Sequence, residues 1–252
     1  MKFRVLAAAC VALGGSIAAA ATSPLPTTLD QLVADGSTGI TIGDKTFYNF
    51  SVQGSVPADA IHVVTPTGSN IGLEFQYNWT SSAGNNLDTL IRYSVHVNDT
   101  TLTQQLINGV GLHFDGNATG ATLVPALVSA AAPPNTDLGT NATVTETIDD
   151  INGNRLGQLT VFNAGAAGTA FNKNDATFVV TPPTRDLMLS KDIQVHSSTS
   201  GGGTSTISLV DNTFSQTTNT SSVPLPPAAL TALATLGLGA VSPIRRRLRR
   251  LI

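Results

Sequence analysis

From Ser23 to Ser222 apolar and polar residues alternate with a period of two, and that alternation admits few folds other than layered β-sheet. Leu73, Phe75, Tyr77 and Trp79 alternate with Glu74, Gln76, Asn78 and Thr80; Ile91, Tyr93, Val95 and Val97 alternate with Arg92, Ser94, His96 and Asn98. Successive side chains on a strand point to opposite faces, so each run predicts a half-buried strand with one dry side and one wet side. Val110, Leu112 and Phe114 extend the pattern, as do Leu159 with Val161, Phe178 with Val180, Ile193 with Val195, and Ile207 with Leu209. Threonine supplies 34 of the 252 residues, and its branched Cβ packs well on a pleated surface.

Turn residues punctuate these runs. Gly43-Asp44 separates Ile40–Ile42 from Phe47–Phe50, and Asn152-Gly153-Asn154 separates Val144–Ile148 from Leu156–Phe162. Both predict hairpins, because Gly and Asn tolerate positive φ. Gly201–Gly203 is expected to turn the strand Asp192–His196 into the strand Thr204–Val210, and short helices are expected only at Leu29–Ala34 and Leu102–Ile107. The fold class predicted for residues 22–214 is all-β, a two-sheet antiparallel β-sandwich or jelly roll of about ten to twelve strands. Nothing repeats with a period of ~20 to 50 residues, which argues against a propeller or solenoid. Val124–Asn135, rich in Ala with Pro, reads as a surface excursion, and residues 215–222 as a Ser/Thr/Asn linker too polar to order itself.

The two ends read as targeting segments. Residues 1–21 have the order of a signal peptide: Lys2 and Arg4, an apolar stretch from Val5 to Ile17, then Ala18 to Ala21, with cleavage expected after Ala20 or Ala21. Export follows. The single cysteine, Cys10, lies inside this segment, so the mature chain would have no disulfide, thiolate nucleophile or cysteine zinc site. The other end runs through Val223-Pro224-Leu225-Pro226-Pro227, an apolar stretch Ala228–Val241, and Arg245, Arg246, Arg247, Arg249 and Arg250. The apolar stretch falls short of the ~20 residues that span a bilayer and reaches the lower limit only when Ser242–Ile244 are added. It is apolar all round, which fits a spanning helix better than one lying flat on lipid. The arginines would hold their end on the cytoplasmic side and leave the body of the protein outside.

This three-part ending, residues 223–252, resembles the PEP-CTERM sorting signal of Gram-negative bacterial surface proteins, in its VPLPA variant. Val223, Pro224, Leu225 and Pro226 form the motif, with Leu225 where the commoner form has Glu and Pro227 where the variant often has Ala. The resemblance implies an exosortase-type membrane protease as partner, transient residence in the inner membrane, and delivery to the cell surface or an exopolysaccharide matrix. A eukaryotic lipid-anchor signal differs, because its apolar tail is not followed by arginines. Ile40-Thr41-Ile42-Gly43-Asp44-Lys45-Thr46-Phe47, Lys191-Asp192-Ile193 and Phe214-Ser215-Gln216 are similar to stretches in uncharacterised proteins that carry this signal. That similarity implies company at the surface and supplies no activity.

Charge narrows the partners. The chain has 13 Lys+Arg against 16 Asp+Glu, and seven of the cations lie in the two terminal segments. Six cations then face all 16 acids in the middle, a net charge of −10. Nucleic acid is excluded as a partner of the folded part, since phosphate binding requires a basic face.

Catalytic motifs are absent: there is no G-x-S-x-G elbow, no H-E-x-x-H, no phosphate loop and no dinucleotide loop. His96 and His113 sit in the polar phase of their runs, so a metal-binding pair on one sheet face is conceivable, although solvated surface histidines fit better. Asp149–Asn154 has the oxygen ligands of a calcium loop but carries Arg155 and Val161 where Gly and a bidentate Glu are required, so a hairpin is expected. Of the two glutamates, Glu74 falls in the wet phase, and no carboxylate stands beside an aromatic cleft. Trp79 shares the phase of Leu73, Phe75 and Tyr77, which favours the core over a sugar-stacking platform. No catalytic, metal or cofactor residue is therefore assigned. The leading reading is a non-catalytic exported surface or matrix protein; the alternative is a carbohydrate-binding module or weak polysaccharide hydrolase.

Overall fold

Strands with one dry face each can hide those faces by stacking two sheets. The computed structural model describes residues 28–66, 71–98, 104–119, 140–164, 171–198 and 203–219, and within them the chain forms such a sandwich. The elements are helix α1 (Leu29–Asp35), β1 (Ile40–Ile42), β2 (Lys45–Gly54), a 3-10 turn at Ala58–Ala60, β3 (His62–Val64), β4 (Ile71–Ser82), β5 (Asn86–Val97) and β6 (Gln104–Thr119). There follow β7 (Asn141–Asp149), β8 (Arg155–Ala164), β9 (Phe171–Lys173), β10 (Asp175–Thr184), β11 (Asp186–His196) and β12 (Thr204–Asn219). Seven strands make one sheet in the order β1-β2-β5-β11-β7-β8-β9, and five make the other in the order β10-β6-β12-β4-β3. Every pairing is antiparallel.

The dry phases meet between the sheets. Phe47, Ile91, Val95, Val144, Val161, Leu187, Leu189, Ile193 and Val195 of the seven-stranded sheet are buried, as are Leu73, Phe75, Trp79, Leu112, Phe114, Ile207 and Val210 of the five-stranded one. Tyr93 sits among aromatic rings, stacked on Phe50 at 5.5 Å and tilted against Phe75 at 5.9 Å and Phe47 at 6.2 Å. Both predicted hairpins form. Ile42 pairs with Lys45 across Gly43-Asp44, with Gly43 at φ 60°. In the β7–β8 loop Asp150 Oδ1 accepts the backbone N–H groups of Asn152 and Asn154, each at 2.8 Å. A bond from the Asn154 side chain, followed by these backbone bonds, holds the Asp150 carboxyl below the usual carboxylate range. That loop is a turn built on an acid, as its sequence implied.

Three expectations need correction. Gln104–Ile107 is the start of β6 and not a helix, because its backbone pairs with Gln216–Asn219 of β12. The same pairing carries β12 five residues into the stretch read as linker: a Thr/Ser run that cannot build a core by itself is ordered when a neighbouring strand satisfies its backbone. Ile207 and Leu209 do not share a face, since the register shifts between them and places Val210 in the core instead. The succession of strands expected around Gly201–Gly203 is observed, β11 of the seven-stranded sheet being followed by β12 of the five-stranded one. Residues 1–21, 124–135 and 220–252, to which the signal peptide, the surface excursion and the sorting segment were assigned, lie outside the described residues.

Candidate functional site

Two positions break the dry phase in the middle of the seven-stranded sheet. β7 reads Val144, Glu146, Ile148 inward, and the adjacent β11 reads Leu189, Lys191, Ile193 inward; Glu146 and Lys191 are register partners with no solvent exposure. Lys191 Nζ donates to Glu146 Oε2. From the opposite sheet, buried Asn212 on β12 donates from Nδ2 to Glu146 Oε1 at 2.8 Å and to the Gly111 carbonyl at 3.0 Å. A carbonyl can only accept, which fixes the amide orientation and turns Oδ1 toward Tyr93. The Tyr93 hydroxyl donates to that oxygen at 2.7 Å. The result is a continuous chain, Lys191–Glu146–Asn212–Tyr93, from four strands of two sheets.

Its surroundings are apolar. Asn212 lies in register with Leu73 on one side and Leu112 on the other, and Lys191 with Ile91. Burial pushes the Lys191 ammonium down from its ordinary value, against the opposing pull of Glu146 and Asp211. Burial raises the Tyr93 phenol well above its usual value, with Glu146 and Asp211 adding to the effect. One carboxylate thus holds both a lysine whose ammonium is less favoured than usual and a carboxamide.

A second polar cluster closes one end of the sandwich. Lys45, buried on β2, pairs with Asp44 Oδ1 at 2.9 Å, and Asp44 Oδ2 accepts from Gln216 Nε2 of β12 at 2.8 Å. Phe47 and Phe214 lie two residues inward along the same strands with their rings 5.8 Å apart. The opening and closing sequence stretches thus meet across the two sheets.

The outer faces carry acids with imidazoles. On the five-stranded sheet Glu74, Asp211, His113 and Asp175 are aligned across β4, β12, β6 and β10, with His113 Nδ1 and Asp175 Oδ1 2.8 Å apart. On the seven-stranded sheet His96 Nδ1 lies 2.7 Å from Asp186 Oδ1. His96 and His113 therefore occupy different sheets and do not form the pair on one face considered from sequence. Glu74 also departs from expectation: its phase is outward, but it is buried, with Gln76 donating to its Oε1. Trp79 is fully buried, its Nε1 donating to Thr89 Oγ1 at 3.2 Å, and is a core residue. Among the described residues no three His, Cys, Asp or Glu side chains converge as a metal site.

Asp192 and Asp88 share the outer face of β11 and β5. Partial burial, then hydrogen bonding and repulsion from Asp88, push Asp192 up to about 6, with Gln194 opposing. The native state therefore holds this proton more tightly than the unfolded chain. The associated stability is present below the ordinary carboxylate range and is lost as pH rises through about 6. Asp192→Asn is expected to match the parent near pH 4 and to exceed it by about 1 kcal/mol at pH 8, allowing for solvent screening. Urea denaturation at the two pH values measures this, and an equal effect at both would refute it.

The sequence-assigned positions Ala20, Ala21, Val223, Pro224, Leu225, Pro226, Arg245, Arg246, Arg247, Arg249 and Arg250 lie outside the described residues. No helix among the described residues is long and apolar enough to cross a membrane. The central network was not anticipated, although a signal for it exists: Glu146 and Lys191 each occupy a dry-phase position between aliphatic residues.

No protein-family model matches the sequence, and no curated protein matches it. Among solved structures, the enzymatically active domain of bacteriophage CBA120 tailspike protein 4 is 14% identical over 73% of this chain, with a TM-score of 0.26. This chain spans 21% of that one. The CBM36-1 domain of a multidomain xylanase from the hindgut metagenome of Trinervitermes trinervoides is 13% identical, covering 65% of this chain and 96% of its own, with a TM-score of 0.23. The CBM22-1 xylan-binding domain of Paenibacillus barcinonensis Xyn10C is 11% identical, covering 71% of this chain and 88% of its own, with a TM-score of 0.21. At these scores the likenesses carry no argument about function.

Proposed function

We propose that the protein is a non-catalytic exported protein of the cell surface or extracellular matrix. Its leader is removed after Ala20 or Ala21, and its apolar stretch Ala228–Val241 is held transiently in the inner membrane by the arginine cluster. An exosortase-type membrane protease then processes it at Val223–Pro226. The observation that carries this reading is the co-occurrence, in one chain, of a leader, a Val-Pro-Leu-Pro motif, an apolar stretch and an arginine cluster in that order. The sandwich fits the role, because β12 remains paired through Asn219, three residues before Ser222 gives way to the motif at Val223. Removal of the tail would leave every described strand intact.

Mass spectrometry of the protein recovered from the surface of its native host tests the proposal. A C-terminus within Val223–Pro227 and no arginine cluster is the expected result. A surface population that keeps Arg245–Arg250 would defeat the processing step, and a cytosolic population would defeat the whole reading. The carbohydrate-binding alternative is tested on the same preparation by titration with host exopolysaccharide, where saturable binding would favour it. Trp79, weighed as a stacking platform from sequence, is buried in the core.

A further inference from the structure

The buried chain of Lys191, Glu146, Asn212 and Tyr93 has the parts of an amide-forming reaction. An amine and a carboxamide are bound to the two oxygens of a single carboxylate, Lys191 Nζ on Oε2 and Asn212 Nδ2 on Oε1, while the Tyr93 hydroxyl donates to the carboxamide oxygen at 2.7 Å. All four side chains are at most 2% exposed, so bulk water is kept from the carbonyl carbon. We propose that Lys191 and Asn212 form an intramolecular isopeptide bond, with Glu146 as the proton carrier and Tyr93 as the donor to the developing oxyanion.

The balance is simple. The Lys191 ammonium passes a proton to Glu146, which exchanges a buried ion pair for a neutral amine and a neutral acid; a dry site favours that exchange. The amine lone pair attacks Asn212 Cγ, and charge gathers on Oδ1, where the Tyr93 O–H already points. Glu146 stands in contact with both nitrogens. Already carrying the former ammonium proton, it delivers that proton to Nδ2, then takes up the one lost by the attacking nitrogen and is left as the neutral acid. The Cγ–Nδ2 bond breaks, one ammonia leaves, and one new C–N bond joins Nζ to Cγ. No oxidant, reductant or metal enters the balance. Holding amine and amide on one carboxylate replaces a bimolecular encounter by an intramolecular one, which is where a slow aminolysis would gain its rate.

The product would tie β11 of one sheet to β12 of the other at the centre of the sandwich. The only cysteine of the chain is Cys10, so no described residue offers a disulfide for that purpose. The inference rests on the core geometry and is independent of how the chain is exported or sorted.

The test is the intact mass, under denaturing conditions, of the full chain after it has folded, compared with the same chain carrying Lys191→Met. The parent is expected to weigh one ammonia less than its sequence, the variant to match its own, and a digest of the parent to contain one branched peptide joining the Lys191 and Asn212 segments. Glu146→Gln is expected to remove the mass deficit while circular dichroism still reports a β-sheet fold. Because the parent reports directly, the result does not depend on either variant folding. A folded parent with the full sequence mass and a linear Asn212 peptide would overturn the proposal. So would deamidation of Asn212, which raises the mass and identifies water as the nucleophile.

Discussion

Adding Glu146→Leu to a chain that already carries Lys191→Met is expected to make it more stable, by about 2 kcal/mol. The single variant leaves the Glu146 carboxylate in the core without its cation, a defect that costs roughly 3 to 5 kcal/mol when one partner of a buried pair is removed. Leucine ends that cost, but it leaves one N–H of Asn212 without an acceptor, at about 1 to 3 kcal/mol. The other N–H keeps the Gly111 carbonyl. Neither variant contains the Lys191 amine, so no covalent link between β11 and β12 enters the comparison. Guanidinium denaturation of the two variants gives the difference directly. A double variant no more stable than the single one would mean that Glu146 reaches water or finds another partner, contrary to its complete burial.

The same pair of residues marks where sequence reading succeeds and where it stops. Alternation located the strands because it records a local fact, the direction of each side chain, and the dry phases of Leu73–Trp79 and Ile91–Val97 were nearly all buried as read. It does not record which strands become neighbours. Glu146 and Lys191 are separated by 45 positions and meet only because β7 pairs with β11. Asn212 and Tyr93 are separated by 119 and meet only because the sheets stack. A polar residue in a dry phase was thus visible one strand at a time, and its partner was not. His96 and His113 failed for the same reason in reverse: both are outward, on different sheets.

Composition misled where pairing overrode it. Ser215–Asn219 has no apolar residue, yet the ladder with β6 orders it, since backbone hydrogen bonding is blind to side-chain polarity. A bulge is equally invisible to a period-two count. Against β6, β12 carries one extra residue at Ser208, which moves Leu209 out of phase and Val210 in. Gly43-Asp44 was legible as a turn, but its second role, in which Asp44 binds both Lys45 and Gln216, depends on a contact across 172 positions.

Trp79→Ala is expected to cost about 3 to 5 kcal/mol, the range for deleting a large ring from a core that cannot fully collapse. The ring has no exposure, packs edge-on against Tyr77 at 5.2 Å and reaches across to β5, where its N–H meets Thr89. Truncation would therefore leave a cavity between the sheets and strip the buried Thr89 hydroxyl of its donor. Trp79→Phe separates the two losses, since it keeps most of the ring volume and removes the hydrogen bond, for an expected cost of about 1 to 2 kcal/mol. Chemical denaturation of parent, Phe and Ala variants should give midpoints in that descending order. A platform for sugar would behave oppositely: Trp79→Ala would leave the midpoint in place and abolish retention on a polysaccharide column. With the indole wedged between β4 and β5, any loss of retention by the Ala variant should be matched by unfolding, and the Phe variant, which folds, should be retained as the parent is.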